Sequence, residues 1–182
     1  IALPVIVLVA QQQQTIRQRA SELVSPPYPS ISQIVSGNRV FVTSNNYTGD
    51  LKSAGSKYGL GTATDGLDGA DKICQGAANS ASLGGTWKAW ISDTSTSAAS
   101  RLTHSNSPYE LLNGVVIANN WSDLTDGTLQ NPINITEYNT TPNYMSCVWT
   151  NTKIDGSLLA PVSNITICNN YTSSDTNYSY CG

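Results

Sequence analysis

The sequence predicts an α+β protein: an N-terminal hydrophobic α-helix followed by a disulfide-closed head with long loops. Three observations predict it. The chain opens on ten uniformly apolar residues that run without a turn signal into a glutamine-rich stretch. Leu67–Asp93 then joins a cysteine-bearing helix pattern to a Gly-Gly break and an aromatic strand pattern. Four cysteines with no CxxC spacing, beside a single histidine, fit disulfides better than metal or redox chemistry. The chain divides into an assembly or anchor helix (1–25), a Pro/Ser-rich connector (26–39) and a head domain (40–182).

IALPVIVLVA followed by QQQQTIRQRASELV reads as one helix over Leu3–Val24, ended by Ser25-Pro26-Pro27. At about 1.5 Å per residue it extends roughly 33 Å. Its apolar part, Leu3, Pro4, Val5, Ile6, Val7, Leu8 and Val9 with their neighbours, is shorter than the roughly 20 residues a bilayer span needs. A signal-peptide core has this length but lacks its basic leader here, and the helical pattern continues past any cleavage point. A buried core helix lacks its amphipathic stripe. A membrane or partner anchor and an assembly stem are the other readings.

In the head, Val40-Phe41-Val42-Thr43 reads as a first strand and Ser44–Gly66 as a Gly- and Asn-rich loop. A helix is expected over 69–79, capped by Asp68, with Asp71 in its first turn and Ala70, Ile73, Cys74 and Ala77 on its apolar face. Gly84-Gly85 stops it, and Thr86–Ile91 favours a strand over 86–92. Thr94–Ser107 reads as a surface loop, and Leu111–Ile117 around Asn113-Gly114 as a hairpin. Trp121, Leu124 and Leu129 are expected in the core. Asn131–Met145 has no periodicity, while Val148-Trp149-Thr150, Ser163–Cys168 and Tyr178–Cys181 read as later strands.

Only 12% of residues are charged and the net charge is −3, which leaves no footprint for nucleic acid. Asn, Ser and Thr dominate the polar set, as in secreted or surface-exposed chains. Candidate glycosylation sequons occur at Asn46, Asn120, Asn134, Asn139, Asn164, Asn170 and Asn177, although a chain this rich in Asn and Thr also generates sequons by chance. Four cysteines allow three connectivities.

LDGADKICQGAAN…GGTWKAWISD, NGVVIANNWSDL, VWTNTKIDG and ICNNYTSS, in this order from Phe41 onward, resemble the bacterial surface domains related to endostatin and C-type lectins. The resemblance implies a C-type-lectin-like head and a nested pairing, Cys74–Cys181 outside Cys147–Cys168; family members carry a longer tail with a further cysteine, so either Cys147 stands in for it or this chain is cut short. In the chain-entropy model the outer loop would contribute on the order of 4–5 kcal/mol and the inner one roughly 3 kcal/mol. IALP and the polar helix after it are similar to the second half of a type IV pilin stem, without the stem's first half and its glutamate.

The resemblance carries over no calcium-dependent sugar site. Gln130-Asn131-Pro132 has the wrong order, and Trp121-Ser122-Asp123 stands where the strand motif would be. A single histidine likewise rules out an endostatin-type zinc site. No catalytic residue, metal ligand or cofactor is predicted, and the chain is read as not an enzyme. His104 reads as a surface residue, and Asp65, Asp68 and Asp71 as a capping region without EF-hand spacing. Asp123, Asp126 and Glu137 are weak calcium candidates. Trp87, Trp90, Trp121 and Trp149 read mainly as core, with sugar stacking as the rival. Tyr47, Tyr58, Tyr138 and Tyr144 are contact candidates.

The expected role is a structural subunit of an extracellular, pilus-like filament. It would polymerise with itself through its N-terminal helices after transient membrane residence, with a head that serves adhesion. The alternative is a membrane-anchored surface adhesin that binds a glycan or a host or matrix protein through head loops 94–107 and 131–145.

Overall fold

The computed structural model describes residues 38–142, 148, 150–159 and 167–174. In order they form β1 (Asn38–Val40), α1 (Leu51–Gly55), a 3-10 turn (Ser56–Tyr58), α2 (Gly66–Ser80), α3 (Ala98–Arg101), β2 (Tyr109–Leu111), β3 (Val116–Ala118), α4 (Trp121–Leu124) and α5 (Cys168–Tyr171). β1 pairs parallel to β2, and β2 antiparallel to β3.

This corrects the predicted fold class. Where a C-type-lectin-like, disulfide-closed head was expected, the described residues form a small α+β arrangement of short helices on one three-stranded sheet. Among them no helix is long and apolar enough to cross a membrane, and no disulfide is present. The N-terminal helix, Leu3 to Val9 included, lies outside the described residues, as do Cys147 and Cys181, the expected partners of Cys168 and Cys74.

The physical reason for the correction is plainest at 86–92, where the expected strand does not form. Its amides donate to side-chain acceptors: Trp87 N–H to Gln75 Oε1 (2.9 Å) and Ala89 N–H to Asp71 Oδ1 (2.9 Å). Ser92 N–H donates to Thr150 O (2.8 Å). The segment is therefore held by side chains of α2 instead of by a neighbouring ladder. The first strand also falls earlier than expected, with Val42 contributing only an isolated bridge to Thr136.

The hairpin follows its Asn-Gly signal. Gly114 has φ +82°, a conformation that favours glycine, and Leu111 and Val115 close the turn. α2 begins one turn earlier than its expected cap. Asp65 accepts from Asp68 N–H (2.8 Å), and Asp68 instead holds Lys72 and Thr64 N–H. The helix stops at Ser80, before Gly84-Gly85, with Ser82 left-handed. Thr94–Ser107 is not wholly a surface loop, because Ser97 caps α3 and Ala98 is buried.

Two apolar clusters hold the head. One joins Leu51, Leu67, Ala70, Ile73, Ile91 and Tyr171, while the other joins Tyr109, Leu111, Ile117 and Ala118 to Trp121 and Leu124. Leu129, expected in the core, is 43% exposed. α1 and α2 approach through glycine, since a Cβ on Gly69 would lie 2.3 Å from Leu51 O. α5 is a single left-handed turn, with all four residues at positive φ. It approaches α2 at Gly66, where a Cβ would meet Asn170 O at 2.1 Å.

Buried Ser92 is a polar hub. Its hydroxyl contacts Thr152 (2.8 Å) and accepts from Ala98 N–H (2.9 Å), and its carbonyl accepts from Tyr171 (3.1 Å) and Asn151 (3.3 Å). A hub with all its partners present fixes relative positions at little desolvation penalty.

Candidate functional site

An open cavity of about 730 Å³ lies where the aromatic segment Thr86–Trp90 faces the sheet. Trp87, Trp90, Trp121, Phe41 and Tyr109 supply its aromatic walls, and Ile117 and Leu124 part of its apolar surface. The three tryptophans are only half-buried and keep surface on this cavity, while Trp121 also packs against the second apolar cluster. Trp149 lies outside the described residues.

The walls are braced from behind. Phe41 packs on Trp87 at 4.8 Å between ring centroids, and Trp90 on Trp121 at 5.5 Å. His104 stacks on Trp121 at 3.9 Å and 8° while its Nε2 contacts Ala99 O at 2.8 Å. Trp87 Nε1–H donates to Gly84 O (2.6 Å), and Arg39 lies over the same ring at 5.1 Å while donating to Leu83 O (2.6 Å). Each ring is thus oriented before any ligand arrives, which reduces the ordering cost of binding.

The segment carrying Trp87 and Trp90 is pinned by a charge pair. Asp71 Oδ2 accepts from Arg101 Nη2 at 2.6 Å, and Arg101 Nη1 donates to Ala89 O at 2.7 Å. Cys74, one turn along α2, lines the cavity; burial, and then the Asp71 charge, push its thiol up to about 12. A thiol so shifted is a poor nucleophile at neutral pH.

The remaining sequence candidates are dispersed. Asp123 serves Asn119 N–H (2.6 Å) and Gln130 (2.8 Å), hydrogen bonds that hold its carboxyl below the usual range. Asp126 accepts from Thr128 N–H, and buried Glu137 from Ser44 N–H and hydroxyl. These three do not converge, and among the described residues no group of three His, Cys, Asp or Glu side chains could hold a metal. The Tyr47 and Tyr58 hydroxyls pair with each other, and burial pushes Tyr47 well above its ordinary value. Tyr138 is exposed, and Tyr144 lies outside the described residues.

Among the sequons, Asn46, Asn134 and Asn139 are exposed. Asn120 caps α4 and Asn170 accepts from Thr94 N–H, while Asn164 and Asn177 lie outside the described residues. The cavity was missed in the sequence, and so was the stacking of His104. Its only sequence signal is the density of tryptophan in 87–90. No protein-family model matches the chain, and none of the curated proteins does.

Proposed function

We propose that this chain is a non-enzymatic, extracellular cell-surface protein whose head is a binding module and whose N-terminal apolar segment tethers it. The observation that carries the reading is the braced aromatic cavity, whose size and walls suit a small organic ligand or a protruding part of a larger one. A surface setting is supported by the Asn-, Ser- and Thr-rich composition and by the exposed sequons. Against catalysis, the carboxylate, guanidinium and thiol nearest the aromatic segment are engaged or held neutral. Asp71 and Arg101 are spent on each other and on Ala89, and Cys74 is held as a thiol.

The test is titration of the full chain against glycan and matrix-protein panels. Saturable binding that Trp121→Ala abolishes supports the reading. Absence of saturable binding across these panels and a set of small amphiphiles refutes it.

A second reading is favoured by a separate observation, the all-apolar start Ile1–Ala10 followed by four glutamines. On this reading the chain is the structural subunit of a pilus-like filament. Apolar segments of neighbouring subunits pack together after transient membrane residence, and burial at about 25 cal/mol per Å² drives assembly. The heads then face outward and can still serve adhesion. Electron microscopy of native surface material decides it: ordered filaments built from this subunit are expected, and dispersed or membrane-bound particles refute assembly.

A further inference from the structure

We propose that the ligand of the aromatic cavity is an amphipathic organic anion, an apolar body carrying one carboxylate-type head group. This inference rests on the binding-module reading and names the chemistry of that same site.

The first argument is charge. The chain has 12 acidic side chains against 9 Lys and Arg, yet among the described residues the charged ones that line the cavity are Arg39, Lys88 and Lys153, with no Asp or Glu. Arg39 is already engaged by Leu83 and Gly84 carbonyls and by the Trp87 face. Lys88 and Lys153 are exposed, and among the described residues the ion pairs join other side chains, Lys72 with Asp68 and Arg101 with Asp71. The cavity thus carries two exposed ammonium groups outside any close ion pair among the described residues, with Asp155 the carboxylate that Lys153 acts on, on a chain whose net charge is negative. Such a local field attracts anions and repels cations.

The second argument is apolar surface. Ile154 is 72% exposed and Leu129 43% exposed, and both line the cavity. Large apolar side chains left in water at the rim of an aromatic cavity gain most from an apolar ligand surface. A neutral sugar would use the rings and could accept hydrogen bonds from the lysines, but it would leave their charge and these aliphatic side chains unmatched. A ligand with an apolar body and a single acidic end satisfies both sets. Its tail would lie against Trp87, Trp90 and Trp121, and its head would reach Lys88 and Lys153.

The experiment titrates the full chain with submicellar laurate, dodecanol, dodecyltrimethylammonium and an oligogalacturonate, reading tryptophan fluorescence. Laurate is expected to bind best. Replacing Lys88→Gln and Lys153→Gln together should weaken laurate roughly ten-fold and leave dodecanol unchanged. The charge-reversed pair Lys88→Glu and Lys153→Glu should invert the preference toward the alkylammonium. Both sites are exposed, so these variants are expected to retain the wild-type circular dichroism spectrum. Equal binding of the three alkyl probes, insensitive to the lysines, overturns the anion preference and leaves the binding module standing. Binding of oligogalacturonate but not laurate overturns the apolar body in favour of an acidic sugar. No fluorescence change with any probe overturns this inference, while saturable binding in the glycan and matrix panels would still support the broader reading.

Discussion

Replacing Gly69 by alanine sets two opposite effects against each other. Alanine is favoured over glycine in a helix interior by about 1 kcal/mol, and Gly69 lies inside the first turns of α2. A Cβ there would stand 2.3 Å from Leu51 O, 2.6 Å from Leu51 C and 2.7 Å from Lys52 Cα. All three atoms are backbone, so no rotamer change relieves the clash and α1 must shift bodily by roughly 1 Å. The reciprocal contact closes the same way, since a Cβ on Gly55 would lie 2.2 Å from Gly69 O. Overpacking costs about 1–3 kcal/mol, and contact with rigid backbone places this site near the upper end, about 3 kcal/mol. The net expectation is a loss of about 2 kcal/mol, or roughly 4–8 °C in melting temperature for a chain of this size. Urea and thermal unfolding of the full chain, followed by circular dichroism, measure it. Asn79→Ala on the exposed face of α2 is the control and should change little. A Gly69→Ala protein as stable as wild type, or more so, would show the propensity gain unopposed and refute the close α1–α2 contact.

Two further outcomes follow from the pinning of the aromatic segment and from the raised Cys74 thiol. Asp71→Ala removes both the Arg101 partner and the acceptor for Ala89 N–H, groups whose ion-paired side chains are only 11% and 21% exposed. It should cost about 2 kcal/mol in urea unfolding, and a loss below about 0.5 kcal/mol would remove the pair from the account of what holds Trp87 and Trp90. In the reduced chain, the Cys74 thiol rises from 9.0 to about 12 in the folded state. The folded protein then holds a proton that the unfolded chain releases. The stabilisation is therefore complete below pH 9 and is lost as pH rises toward 12. Stability should fall over that window in wild type and less in Cys74→Ala; identical pH profiles would refute the upward shift of the thiol.

What the sequence disclosed was local, and what it hid depended on distant partners. The Asn113-Gly114 hairpin and the body of α2 rest on turn chemistry and helical periodicity within a few residues. The cap of α2 was displaced because Asp65 and Asp68 share the same spacing logic, and only the loop geometry before Gly66 decides between them. The Ser92 hub joins residues some 60 and 79 positions apart, and no pattern in composition announces it. His104 is exposed, as read, and what stayed hidden was its stacking, because the partner is an aromatic face, Trp121, and neither a carboxylate nor a cysteine.

The failed strand at 86–92 and the cavity have one cause. Residues Thr86 to Trp90 border the cavity, and Ala89 also packs against the first apolar cluster. The Trp87 and Ala89 amides bond to the Gln75 and Asp71 side chains and not to a strand partner. A ladder partner would have to displace those bonds and the α2 side chains that make them. The aromatic and β-prone residues that looked like a strand are the ones that border the cavity. Side-chain hydrogen bonding from α2, in place of a ladder, is therefore what fixes Trp87 and Trp90 at the cavity.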